Sequence, residues 1–466
     1  MGKRLKTENR KPKTENRLSD PRRLALDILA AAARQGRSVE ELLARTAVRH
    51  LGMDRRDRAF LLELAQGVKR WEIRLDYCLS HLSHIPLKKL HPLVLVILRL
   101  AAFQILMLDK VPARAAVHEA GEMARQRRLP KTHLGFINAV LRRLAEGELP
   151  SIPSLAADPV MALSIEHSHP AWLVRRWLER YGLEDTQARL AANNRIPPLT
   201  IRVNTLKTDP DSLRDRLARE GIEAAPCRFS PGGLRLGHLE VSPMSVSSYW
   251  EGLWLFQDEA AQLVTYLLNP RPGQTVLELG AGRGGKTTHM AELMTARGVI
   301  MAVDNHKGRL QDLRIILRRW GVYMVQPHFA DATRPLHLKV KEFDSVAVDA
   351  PCSALGIIRR HPEIKTRLKE ADLATFPPRQ QALLAAAAPL IKSGGRLLYI
   401  TCTTEPEENQ EVVEAFLAEN RDFRLGADPG ALPSPARSLI HPPGYFVTSP
   451  ATHDLDAFFA AVLVRG

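Results

Sequence analysis

Apolar positions recur along the chain in two rhythms. From residue 21 to about 148 they return every three or four places: Leu24, Leu26, Ile28 and Leu29; Phe60, Leu61, Leu64 and Val68; then the runs at 93–108, 116–123 and 136–144. This spacing lays apolar side chains along one face of each segment and predicts a bundle of helices. From about residue 250 onward, short apolar runs rich in β-branched residues, at 275–279, 299–303, 345–348 and 396–400, alternate with helical stretches. Strands buried on both faces read as continuous apolar runs, and their alternation with helices predicts a doubly wound, mostly parallel sheet. Between the two rhythms lie a Pro-bearing stretch at 149–153 and a mixed segment with a strand at 199–203 and a helix at 209–220.

The expected fold is therefore multidomain. Residues 21–150 form an all-α bundle, 159–249 a small α/β subdomain, and 250–466 an α/β Rossmann-like domain. In front, residues 1–20 carry Lys-Thr-Glu-Asn-Arg twice, at 6–10 and 13–17, with no apolar residue between Leu5 and Leu18. Such a tail cannot bury a core and is expected to be disordered and basic.

Composition narrows the setting. A chain of 466 residues, 45% apolar, exceeds what one core usually holds. Four cysteines, no signal-peptide pattern and no apolar stretch of about twenty residues imply a soluble protein of the reducing cytoplasm with free thiols. The formal charge is +15, and it is uneven: residues 1–150 hold 30 Lys and Arg against 16 Asp and Glu, residues 151–466 hold 36 against 35. That asymmetry points to a polyanion gripped mainly by the first module, and nucleic acid fits best. A membrane surface is disfavoured, since no basic amphipathic helix is joined to an anchor or lipidation motif.

Ligands of open α/β sheets sit where strands end and helices begin, so the loops at 280–286, 304, 331, 349 and 402 should converge on one crevice. The first loop, Gly280-Ala281-Gly282-Arg283-Gly284-Gly285-Lys286-Thr287, satisfies three patterns at once. It reads as a dinucleotide G-x-G-x-x-G, as a P-loop G-x-x-x-x-G-K-T, and, from Glu278, as the E-x-G-x-G-x-G of S-adenosylmethionine enzymes. A P-loop reading leaves unused Asp304, an acid twenty positions after Gly284 that suits ribose hydroxyls. Neither nucleotide reading employs Cys352, in Asp349-Ala350-Pro351-Cys352, or Cys402, in Thr401-Cys402-Thr403; each stands just after an apolar run. A thiol pair at strand ends suits covalent attack on an electron-poor ring.

Further residues carry a resemblance. The runs Gln-Asp-Glu-Ala-Ala-Gln-Leu at 257–263, Gly-Gly-Lys-Thr-Thr-His at 284–289, Asp-Ala-Pro-Cys-Ser at 349–353 and Arg-Arg-His-Pro at 359–362 are ordered along the chain, followed by Thr401-Cys402 and Pro-Glu-Glu-Asn at 406–409. They resemble the bacterial 16S rRNA (cytosine-5)-methyltransferases called RsmB, Sun or Fmu. In front, Arg-Asp-Arg-Ala-Phe at 56–60 and the Gly-Phe-Ile-Asn-Ala-Val-Leu-Arg-Arg-Leu run at 135–144 resemble the NusB-like RNA-binding bundle fused to that enzyme.

The resemblance implies S-adenosylmethionine as donor, no metal, and a cytosine of 16S ribosomal RNA, in a loop or turned out of its stack, as acceptor of a methyl group at carbon 5. Transfer RNA is the alternative acceptor, and a P-loop-like nucleotide-binding RNA protein the alternative class. The resemblance makes Cys402 the nucleophile, Cys352 the group that helps release the adduct, and Asp349 the holder of the ring nitrogen and exocyclic amine. Backbone amides of residues 280–285 would meet the methionine end of the donor, Asp304 the ribose and Asp331 the adenine amine, with Lys286 at the donor or the loop. The small subdomain would also bind RNA, and a monomer is expected.

Four residues depart from the family pattern. Gly282-Arg283 stands where Ala-Pro is usual, placing a bulky side chain beside the donor; Ala354 replaces a glycine and Thr403 a serine. Two further expectations concern charge. Nearby cations or helix amides should lower the Cys402 pKa, and Arg359, Arg360 and Lys365 should either steer phosphates or form a solvated face. Cys78 and Cys227, with no motif around them, should be small buried hydrophobes.

Overall fold

The computed structural model describes residues 20–49, 53–338, 340–426 and 428–466. The basic tail expected at 1–20 lies outside the described residues, apart from Asp20. Two compact units are present: one comprises the residues up to Arg176 with the segment His361–Thr366, the other Trp177–Arg360 and Arg367–Gly466. No helix among the described residues is long and apolar enough to cross a membrane.

The helical unit holds α1 (Pro21–Gln35), α2 (Val39–Arg49), α3 (Arg55–Leu82), α4 (Pro92–Met107), α5 (Ala113–Gln126), α6 (Lys131–Ala145) and α7 (Pro159–Glu166). Its boundaries follow local chemistry. Asp20 caps α1 by accepting from the Arg22 amide, Pro21 opens the helix, and Gly36 closes it in the left-handed region. Asp54 caps α3 through the amides of Arg56 and Asp57. The central helix is α4, apolar at nearly every position and buried on several sides. Its one charge, Arg99, is neutralised by Asp76 and Glu72 of α3. Gly67 of α3 sits against the Phe103 ring of α4, where an added Cβ would come within 2.1 Å of the ring; only glycine permits that crossing.

The other unit contains two sheets. The smaller is antiparallel, in order β2-β3-β1-β4, from β1 (Leu199–Val203), β2 (Ile222–Pro226), β3 (Gly233–Leu239) and β4 (Trp254–Phe256), with the helix Pro210–Arg219 against it. Its fourth strand comes from beyond residue 250, so the boundary expected there falls inside a sheet. The larger sheet has nine strands: β5 (Thr275–Leu279), β6 (Val299–Asp304), β7 (Val325–Phe329), β8 (Phe343–Asp349), β9 (Ile391–Thr401), β10 (Phe423–Leu425), β11 (Ile440–His441), β12 (Tyr445–Val447) and β13 (Phe459–Arg465). The order is β11-β12-β13-β9-β8-β5-β6-β7, with β10 beside β13. Strands β5 to β9 run parallel and β13 lies antiparallel to β9. Both faces are covered. Val276, Ile300, Ala347 and Leu398 pack into one core, while their neighbours Leu277, Met301, Val346 and Leu397 pack into another. Each such side chain, moved from water to the interior, contributes about 1.5–3 kcal/mol before entropy is set against it.

The topology also places the site. The chain leaves β5 toward β6 and β7 on one side and returns to β8 and β9 on the other, so the crossovers that follow β5 and β8 run in opposite directions. A crevice opens at that switch point, at the carboxyl ends of the strands.

Candidate active site

The crevice is a cavity of about 640 Å³, lined by the loops that end β5, β6, β7, β8 and β9. All five loops expected to meet there do so: Gly280 and Gly282, Asp304, Asp331, Asp349 with Cys352, and Cys402 line it.

The first loop owes its shape to its glycines. Gly280 has φ +83°, and an added Cβ would lie 2.4 Å from the Asp349 carbonyl oxygen, so the loops after β5 and β8 touch through bare backbone. At Gly282 a Cβ would meet almost nothing. There the backbone faces open space, a cradle for a close-lying ligand. Asp304 ties this loop to the end of β6, accepting 2.8 Å from the Gly282 amide and 2.7 Å from His306. Asp331, at the end of β7, accepts from the amide and hydroxyl of Thr333, which hold its carboxyl below the usual range.

The remaining loop residues turn away from the cavity. Ala281 is buried in the core. Arg283 points to solvent and pairs with Asp312 at 3.3 Å, so the bulk expected beside the donor is directed elsewhere. Gly284 packs on Leu313 and Gly285 gives its carbonyl to Arg202. Lys286 donates to Asp349 at 2.8 Å. Burial works against the Lys286 charge, yet Asp349 outweighs it and raises the ammonium pKa. Thr287 is engaged by Glu278, whose carboxyl burial pushes up to about 8. The lysine and threonine of the P-loop pattern thus each serve a carboxylate.

At the far wall the two sulfurs stand 3.4 Å apart, and the Cys402 amide donates to Cys352 Sγ at 3.4 Å. Adjacent parallel strands deliver them, β8 pairing with β9 up to Asp349 opposite Ile400. The Cys402 thiol pKa is raised, by its bond to Cys352, by burial, and by the charges of Cys352 and Asp349; Lys286 opposes this and loses. This corrects the expectation of a lowered value. The nearest groups are another thiol and a carboxylate, and Lys286, the cation that acts on it, is already shared with Asp349.

A buried acid that the spacing did not single out holds the thiol loops together. Glu408 accepts from the Ser353 amide at 2.8 Å and from Thr403 Oγ1 at 3.1 Å, and Gln380 donates to it at 3.2 Å. Ser353 and Thr403 join at 2.7 Å, and Tyr399 donates to the Glu408 carbonyl. Asn409 braces the same turn, its side chain meeting Thr401 and the Thr403 carbonyl. Glu408 and Asn409 stand in the Pro-Glu-Glu-Asn run; that run was the available signal. Arg309 and Arg379 also line the cavity.

Of three cations expected at a phosphate or a wet face, Arg359 and Lys365 are buried and Arg360 is part-buried, and all three are bound to groups of the protein. Arg359, 1% exposed, donates to Asp456 at 2.6 Å, and Arg360 pairs with Asp456 and Asp258. Burial, and after it the neighbouring Asp456 charge, raises the Asp258 carboxyl to about 6. Lys365, 2% exposed, belongs to the helical unit and donates to the Arg70 carbonyl at 3.1 Å. Cys78 is buried as expected; Cys227 is half-buried.

A parallel sheet that gives its ligand crevice to a glycine turn and a pair of thiols has the chemistry of a Rossmann-like methyltransferase. Comparison with known proteins narrows that class. Residues 265–464 match the family described as 16S rRNA methyltransferase RsmB/F, residues 19–146 the NusB family, and residues 169–241 the ferredoxin-like domain of RsmF/B-like methyltransferases. A probable ribosomal RNA small subunit methyltransferase B of Bacillus subtilis (strain 168) is 36% identical over 391 residues, 84% of this chain and 86% of its own. A counterpart from Synechocystis sp. is 35% identical over 446 residues, 95% of this chain and 99% of its own. The crystal structure of PH0851 superposes with a TM-score of 0.81 at 27% identity, covering 95% of this chain and 98% of that one. The chain belongs to the RsmB/F family of 16S rRNA methyltransferases. It is an rRNA methyltransferase, with RNA as substrate and S-adenosylmethionine as cofactor. The cavity fits that cofactor: its volume is in the usual range for such sites, its glycine turn leaves backbone bare, and an acid closes each of β6 and β7.

Proposed function

We propose that this enzyme methylates carbon 5 of a cytosine in 16S ribosomal RNA through a transient bond to Cys402. The observation that carries the reading is the placement of two free sulfurs, 3.4 Å apart, in the same cavity as the glycine turn and Asp349. S-adenosylmethionine, when bound, supplies an electrophilic methyl group and a positive sulfonium charge. Asp304 and Asp331 would hold its ribose and adenine amine, and the bare backbone at Gly282 its methionine end.

The cytosine side of the reaction falls to the thiols. Carbon 5 of cytosine is a poor nucleophile. Cys402, as thiolate, adds to carbon 6, and the displaced electron pair makes carbon 5 able to take the methyl group. Asp349 accepts from the exocyclic amine and, carrying a proton, donates to the ring nitrogen as charge develops there. A base takes the carbon 5 proton, the electron pair left behind re-forms the double bond between carbons 5 and 6, and the Cys402 sulfur leaves as thiolate; Cys352, in contact with that sulfur, assists the release. The hydrogen bond to Cys352, burial and the Asp349 charge disfavour the Cys402 thiolate, and a positive charge bound in the cavity would favour it by Coulomb attraction.

The reaction needs an unpaired or extruded base, and the excess charge of the first 150 residues supports that module as the main grip on RNA. Bisulfite sequencing of ribosomal RNA tests the assignment. A strain lacking the protein should lose one 5-methylcytosine of the small subunit and regain it with the wild-type gene. Loss of a methylated position in transfer RNA alone would replace 16S RNA as substrate, and an unchanged map would refute the chemistry.

A further inference from the structure

A second cavity lies wholly within the helical unit, enclosing about 590 Å³ among the end of α3, the turn after it, the start of α4 and one face of α6. Its floor is aliphatic, and Lys89 and Arg143 are its charged side chains, both cationic. His84, His91, Thr132 and His133 complete the polar lining, and among the described residues no carboxylate lines it. Lys89 is exposed and makes no ion pair among the described residues. Arg143 is held over the rim by the Leu82 carbonyl at 2.9 Å, and its pair with Glu148 is half exposed and therefore weak. The His84 ring meets Phe136 edge to face, centroids 5.4 Å apart, and His91 lies 5.8 Å from His133.

We propose that this cavity binds one nucleotide of single-stranded RNA, separate from the cytosine at Cys402. The inference rests on RNA being the substrate and adds a second, non-catalytic contact to it. Aromatic and imidazole faces over an aliphatic floor suit a heterocyclic base, which stacks without regard to sequence. Lys89 and Arg143 at the rim suit the phosphate joined to it. An apolar peptide would leave this positive lining unanswered, and a free anion would leave the rings unused.

The test measures binding of the full chain to a labelled, unstructured twelve-nucleotide RNA across a salt series. His84 and Lys89 are exposed, so truncating them spares the core. His84→Ala should weaken binding about tenfold, since stacking is lost. Lys89→Ala should weaken it about threefold and flatten the slope by about 0.7, one phosphate contact on a single strand. Substitution with 5-iodouridine should give a photo-crosslink to His84 or Phe136. If the parent binds while both variants stay within twofold of it and the crosslink falls elsewhere, the pocket is refuted and the RNA reading stands. If the parent fails to bind RNA at all, both fall.

Discussion

In the sheet unit Glu408 is buried and committed to Ser353, Thr403 and Gln380, Arg202 to Glu292, and Arg359 to Asp456. In the helical unit Lys88, Lys89, Arg114 and Lys131 are exposed and make no ion pair among the described residues, while Arg125 and Arg127 pair with Glu122 and Asp27 in solvent. The first arrangement fixes atoms: a buried polar group that loses its partner keeps its desolvation cost, so each contact is hard to remove. The second arrangement spreads charge, and each exposed pair is worth little. A reaction centre demands the former and a polyanion surface tolerates the latter. Substitutions in the two units should therefore differ in size as well as in kind.

The largest effect should come from the sulfurs. Cys402→Ser should abolish methyl transfer and leave no covalent protein–RNA species. Cys352→Ser should instead accumulate an adduct that survives denaturing electrophoresis, because addition outruns release. An adduct from Cys402→Ser would reverse the two roles. Next comes the brace. Glu408→Ala frees both thiol loops, and a misplacement of about 1 Å costs about a hundredfold in rate. The expected result is that loss in kcat with donor affinity kept and the fold intact by circular dichroism, with Glu408→Gln recovering much of it. Unchanged turnover would show that the loops hold themselves.

A smaller effect concerns Glu278, whose carboxyl is pushed to about 8 in the folded chain from an ordinary value near 4.5. The folded state then holds a proton that the unfolded state releases. Its contribution to stability is full below about 4.5 and is lost as pH rises through about 8. Glu278→Gln has no such titration, so the Tm of the parent relative to the variant should fall between pH 5 and pH 8.5. A constant difference would place the proton elsewhere. The smallest effect belongs to the helical unit. Arg114→Gln should change stability by no more than about 0.5 kcal/mol and RNA affinity by no more than about threefold. A loss comparable to that of Glu408→Ala would break the contrast between the units.

The sequence carried the frame of this molecule better than its interior. The strand expected at 275–279 is β5 to the residue, since a run buried on both faces has sharp ends, and all five strand-end loops line one cavity. The run expected at 396–400 is extended at both ends in β9, because Gly394 and Gly395 hid the start of the strand. Two strands of the smaller sheet, β2 and β3, passed unread: with Ala224, Pro226, Gly233 and Gly237 they are weak in β-branched residues and take their form from pairing. Arg359, Arg360 and Lys365 look like solvent-facing cations in a linear string. Only the fold brings Asp456 and the Arg70 carbonyl to them. The thiol pKa failed for a like reason, since its controlling neighbours, Cys352 and Asp349, lie about fifty residues away in the chain.

The central claim is that the sulfur of Cys402 bonds to a cytosine, and it can be read directly. RNA carrying 5-fluorocytidine at the target position should trap the wild-type enzyme in the presence of S-adenosylmethionine, because fluorine cannot leave carbon 5 as a proton does. Mass spectrometry of the digested complex should then find the nucleotide on the peptide that contains Cys402. A nucleotide on Cys352, or methylation of ordinary RNA with no trapped species from the fluorinated one, would contradict the account.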